Sequence, residues 1–179
     1  MSLIRTPVII TALCAVGLFS YTEHGVAGEE EIHRAESAAH SDLSSKATII
    51  DTDGNVLRKG NSHWHCVPGI PVIPGDKHPM CNDSVWVELL QAAAEGKPFK
   101  ADKLGISYMM QGDAYVSNSN PAATDPNNGD VWVKEGPHLM IIVPHELLEG
   151  ISDDPFNGGP YVMWKGTPYA HIMVPIGNK

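Results

Sequence analysis

The sequence predicts an α+β domain: a small antiparallel β-sheet with one main helix at about 83–95, long loops, and one disulfide, Cys66–Cys81. Three observations lead there. Fourteen prolines and seventeen glycines in 179 residues break the chain into short elements. Only one segment has both helical periodicity and a clear cap at each end. Several short apolar or alternating runs, bounded by turn residues, have the texture of strands. Hydrophobic residues make up 42% of the chain and charged residues only 18%, so the composition is that of a packed domain rather than a disordered one. A net charge of −9, with no basic stripe, excludes nucleic acid as a partner class.

Residues 1–27 carry the pattern of an export signal. Arg5 precedes an apolar run from Val8 to Phe19, and Gly25-Val26-Ala27 supplies small residues for cleavage, with Ser20 as a second candidate position. The run is shorter than the roughly 20 residues a membrane-spanning helix needs. No later stretch approaches that length, so the expectation is a periplasmic or secreted protein with no stable membrane insertion after cleavage. Residues 28–46 form a polar leader, helical or disordered, in which Ile32, Ala35 and Ala39 trace one weak helical face. Residues 47–179 form the single globular domain.

Within that domain, Thr52-Asp53-Gly54-Asn55 between ATIID and VLR reads as a hairpin, because Asp-Gly provides the positive φ of its turn. Asn82 or Asp83 caps the main helix, whose buried face is Val85, Trp86, Leu89, Leu90 and Ala93, and Gly96 with Pro98 ends it. Gly105–Gln111 and Asp130–Lys134 read as strands flanking a long polar loop, a candidate rim for a site. His138–Val143 is a nearly continuous apolar run and fits a central strand. Tyr161–Trp164 and Tyr169–Val174 read as a hairpin. Pairing Trp164 with Tyr169 would set Val162 opposite His171 and put Val162, Trp164, Tyr169, His171 and Met173 on one face.

Beyond residue 27 only Cys66 and Cys81 remain, and export to an oxidising compartment makes their pairing the expected state. The chain writes His-x-Met three times, at His78/Met80, His138/Met140 and His171/Met173. Random placement of these residues would give fewer than one such pair. On a strand, residues two apart share a face, so each pair presents an imidazole and a thioether together. That donor set suits a soft transition metal, copper(I) above all. The expected ligands are His171 and Met173, then His138 and Met140. His65, His78 and Met80 form a candidate second cluster that the disulfide would draw together.

Two other functions compete with metal binding. A small-molecule or carbohydrate binder would stack its ligand on Trp64, Trp132 or Trp164. A small periplasmic enzyme would pair His138 or His171 with Asp113, Asp153 or Asp154. The chain has no nucleophile elbow, no phosphate-cradling glycine loop and no Cys-x-x-Cys, and no catalytic residue is assigned.

Overall fold

The computed structural model describes residues 24–71, 73 and 75–178; the apolar run of the expected export signal lies outside them. The element order is α1 (His24–Glu36), α2 (Ser41–Ser44), β1 (Thr48–Ile50), β2 (Val56–Arg58), β3 (His65–Val67), β4 (Met80–Asn82), α3 (Ser84–Ala94), β5 (Gly105–Met109), β6 (Val116–Ser117), β7 (Trp132–Val133), β8 (His138–Ile142), β9 (Tyr161–Met163) and β10 (His171–Pro175). A single 3₁₀ turn covers His145–Leu148.

Eight strands form one sheet in the order β2-β1-β3-β4-β5-β8-β10-β9. The class is α+β, with few helices and one disulfide. The sheet is larger than the small antiparallel one expected, and it is mixed: β1 and β3 run parallel, every other pair antiparallel. The reason is local. After β2 the chain returns through residues 59–64, so β3 enters on the other side of β1 and in the same direction. Gly60 permits this crossing, because a Cβ there would lie 2.3 Å from the Lys46 carbonyl oxygen. β6 and β7 pair separately as a two-stranded ribbon within the long loop.

The β1–β2 turn forms as its sequence dictates. Gly54 takes φ +90°, and one Asp51 carboxylate oxygen accepts from the Asp53 and Asn55 amides at 2.9 and 2.7 Å. The Asp83 carboxylate starts α3 by accepting from the Val85 and Trp86 amides, both at 3.0 Å. Its second oxygen accepts from the Ile106 amide at 2.7 Å, which pins the helix to β5. Gly105 makes the close approach possible; a Cβ there would sit 2.7 Å from that of Val85.

Strand alternation sorts the core into two faces. One is covered by α3 and holds Val67, Met80, Trp86, Leu89, Met109, Met140, Ile142, Tyr161, Met163 and Met173. The other is covered over β1–β4 by α1, with Ala35, Ala38, Ile49, Cys66 and Cys81 fully buried together. Small alanines let the helix sit close on the disulfide. Arg58 fastens this layer, donating to Glu36 and, at 2.8 Å, to the Ser44 carbonyl.

Cys66 and Cys81 face each other across β3 and β4 and are bonded. The covalent link spans 15 residues of proline-rich chain. A bond closing about 15 residues contributes roughly 3 kcal/mol through chain entropy, less where prolines already stiffen the loop. Replacing both cysteines by alanine is therefore expected to lower the unfolding free energy by about 2–3 kcal/mol in a urea titration, with β3–β4 remaining paired.

The C-terminal hairpin differs from its expected register by one residue. His171 lies opposite Met163, Ile172 opposite Val162, and Met173 opposite Tyr161. Trp164 is the cause: it leaves the strand with φ 55°, and its amide donates to Asn118 rather than to β10. A one-residue slip exchanges the faces of a whole strand. Val162 thus turns to the far side with Leu148 and Ala170, and Met163 takes its place beside His171.

Candidate functional site

The strand pairings line up one continuous row across the α3 face: His65, Asn82, Ser107, Met140, Met173 and Tyr161, each opposite the next. Flanking rows hold the histidines. His138 lies between Met109 on β5 and Pro175 on β10, while His171 lies beside Met163 on β9. Five of the six methionines among the described residues are buried in this one face. Every buried histidine of the domain is there with them: His138 is 0% and His171 1% exposed.

Both imidazoles are held in the same way. Nδ1 of His138 bonds the Gly136 carbonyl at 2.8 Å, and Nδ1 of His171 bonds the Tyr169 carbonyl at 2.9 Å. A carbonyl only accepts, so Nδ1 carries the proton in each ring and Nε2 is left as a lone pair. Neither Nε2 has a hydrogen-bond partner within the protein, and both are buried. Burial holds both rings below the usual imidazole range, down to about 4 for His171, where charge on His138 also disfavours a proton. They are neutral, oriented donors with a fixed tautomer. An imidazole whose Nδ1–H is anchored on a backbone carbonyl is the usual state of a metal-ligating histidine.

His171 is boxed by aromatic rings. Trp86 of α3 meets it edge-on at 5.1 Å between ring centroids, and Trp164 does so at 5.0 Å. The Trp164 indole N–H donates to the Ser117 carbonyl at 2.9 Å, which fixes its orientation from the β6–β7 ribbon. Positive φ at a bulky non-glycine residue is rare and costly, so this position is held by its surroundings. The Trp86 indole N–H is itself buried without a partner.

The third His-x-Met pair is arranged differently. Met80 is buried opposite Val67, and His78 lies outside the strand with Nδ1 2.6 Å from the Asp76 carboxylate. His65 stands opposite Asn82, half-buried, with Nδ1 lacking a partner. Directly facing cysteines put His65 and Met80 on the same face, diagonally across the strand pair. His63 is exposed and lies against Trp64.

Of the carboxylates named from sequence, Asp153 and Asp154 are exposed, the former 3.3 Å from Lys165. Asp113 is buried, and burial pushes its carboxyl up to about 7. Its amide donates to the Glu135 carbonyl at 3.0 Å, and the buried Tyr161 hydroxyl donates to the Glu135 carboxylate at 2.9 Å. Sequence reasoning missed Glu135 and Tyr161, along with Met109 and Met163. Glu135 lies just past the expected strand Asp130–Lys134, and Tyr161 entered only as the first residue of a hairpin strand. For the second pair, only the strand register reveals their neighbours.

Among the described residues, no three side chains drawn from His, Cys, Asp and Glu converge as a metal-binding group. Two shallow depressions, of about 340 and 320 Å³, lie around α1 and α2 and are lined mainly by serines, His33, His63 and Trp64, remote from the buried histidines. No described helix is long and apolar enough to cross a membrane. Comparison with known proteins finds no match to a family model, a curated protein or a solved structure.

The buried imidazoles generate a direct test. Nitrogen NMR shifts of His171 should report the neutral Nδ1–H tautomer from pH 7.5 down to pH 5. A folded pKa below the unfolded value means that His171 contributes stability above about pH 6.5, and that this is lost as pH falls toward 4.

Proposed function

We propose that this is an exported protein that binds a soft monovalent metal, copper(I), on the methionine-rich face of its sheet. The observation that carries the reading is the pair of buried imidazoles, His138 and His171, each with a fixed Nδ1–H and an unpartnered Nε2 beside thioethers. His171 and Met173 head the ligand set, with His138 and Met140 next to them. All four donors are neutral, so such an apolar interior accommodates a monovalent ion far better than a divalent one. Thioether sulfur and imidazole favour copper(I) over magnesium, calcium or manganese. Trp86 and Trp164 pack against His171 in T-shaped contacts and help keep water away from it. His65, His78 and Met80 make a weaker second candidate, because His78 is already committed to Asp76.

Export agrees with the signal-like residues 1–27 and with the Cys66–Cys81 bond, which is at home in a periplasmic or extracellular space. In such a space thioethers hold copper(I) without competing in disulfide exchange.

A second reading has its own support. The Trp86 N–H and the His171 Nε2 are a donor and an acceptor, both unsatisfied and in adjoining rings. A small polar molecule could take both.

Anaerobic copper(I) titration against a competing chelator separates the two. The protein is expected to compete, and the His171→Ala/Met173→Ala variant to bind at least tenfold more weakly. Unchanged affinity in that variant, with the fold retained by circular dichroism, removes these residues from the site. Absence of competition by the unaltered protein favours the second reading.

A further inference from the structure

The four strands β5-β8-β10-β9 carry an internal symmetry that no His-x-Met count reveals. Met140 and Met173 are directly opposite each other. A local two-fold axis between them exchanges β8 with β10, and places His138 on His171, since both lie two residues before their methionine. The same operation exchanges β5 with β9. Met109, opposite His138, then falls on Met163, opposite His171. Two equivalent triads result: His138 with Met109 and Met140, and His171 with Met163 and Met173. All six side chains are at least 96% buried, and each imidazole has its proton on Nδ1 and its lone pair on Nε2.

We infer that the chain binds two copper(I) ions, one per triad, and that Met109 and Met163 are ligands. This rests on the soft-metal reading above and extends it in stoichiometry and donor set. One ion cannot serve both histidines. His171 lies level with Ile142, four positions along β8 from His138, which at about 3.3 Å per residue is roughly 13 Å of strand. Side chains stand roughly perpendicular to the sheet, so the two rings rise from points several times further apart than the metal–nitrogen bonds of about 2 Å that one shared ion would need. Each histidine, by contrast, has one methionine two positions along its own strand and one directly across, about 5 Å away at Cβ. Three rotatable bonds let those thioethers adjust to an ion at Nε2. Each triad then supplies one nitrogen and two sulfurs, a neutral three-coordinate set that matches copper(I).

The test is native mass spectrometry of the purified chain after anaerobic copper(I) loading, with histidine NMR on the same samples. The unaltered protein should carry two ions, with Nε2 of both His138 and His171 shifted. Met109→Leu should lose one ion and the His138 shift alone; Met163→Leu should lose one ion and the His171 shift alone. Both changes nearly conserve side-chain volume, so the core is retained, which proton spectra of the unloaded variants will verify. A single ion per chain, sensitive to both histidines, would overturn the two-site inference and leave the soft-metal reading standing. Two ions unaffected by either leucine variant would remove Met109 and Met163 as ligands. No ion at all overturns both.

Discussion

The register between β8 and β10 is the constraint from which the rest of this molecule follows. With Met140 set against Met173, alternation sends His138, His171 and the neighbouring methionines to the α3 face, and Leu139, Ile141 and Val174 to the other. A slip of one position would bring both imidazoles out and drive aliphatic side chains into the helix-covered interior. Several elements hold that register. β8 pairs over its full length with β5 on one side, and β10 is clamped by β9 on the other. The Ile176 and Gly177 amides close onto the Pro137 carbonyl at 2.9 and 3.1 Å and fix the end of the strand pair.

An interior built this way is energetically odd for a structural core. Leucine or isoleucine at positions 138 and 171 would bury the same surface without any desolvated nitrogen. Each unpartnered Nε2 costs about 1–3 kcal/mol relative to a satisfied group. The Trp164 backbone adds strain in the same place, since positive φ at a bulky residue costs about 1–3 kcal/mol. Methionine is likewise a loose core filler compared with leucine. Costs gathered in one spot are the mark of a site shaped for something other than stability. The opposite face makes the contrast. There the disulfide, Ile49 and three alanines pack without an unpartnered polar atom, and Arg58 finds acceptors for its guanidinium.

Much of the frame was legible from residues alone, for identifiable reasons. The Asp83 cap, the Asp-Gly turn and the apolar run at 138–142 are local signals that tertiary context did not override. The cysteine pairing followed from counting and compartment. What stayed hidden is non-local. Nothing near residue 60 announces that β3 will lie parallel to β1, because the crossing depends on a glycine meeting a distant carbonyl. The β9–β10 register hinged on Trp164 adopting a conformation that propensity assigns to glycine or asparagine. A hairpin drawn from alternation alone closes symmetrically on Lys165-Gly166-Thr167-Pro168 and so places Val162, not Met163, against His171. Met109 and Met163 have no histidine two residues away, so no linear motif could join them to one. Glu135 and Tyr161 are 26 residues apart and become partners only when β9 is laid at the sheet edge.

The polar groups of the core also bear on what kind of ligand the face can take. Glu135 and Asp113 sit at the Met109–His138 side of the sheet, tied by the amide of Asp113 and the carbonyl of Glu135. Glu135 favours a positive charge near His138 and partly offsets the burial that keeps that ring neutral. The same negative field stabilises a cation lodged beside His138 and disfavours an anion. At His171 no carboxylate contributes; two tryptophan rings take that place. The two ends of the methionine cluster therefore differ in their surroundings, one beside a buried carboxylate and the other between two tryptophan rings. The proposed monovalent cation, held by neutral nitrogen and sulfur, is compatible with both ends. An anionic ligand would meet repulsion at the first and no counter-charge at the second.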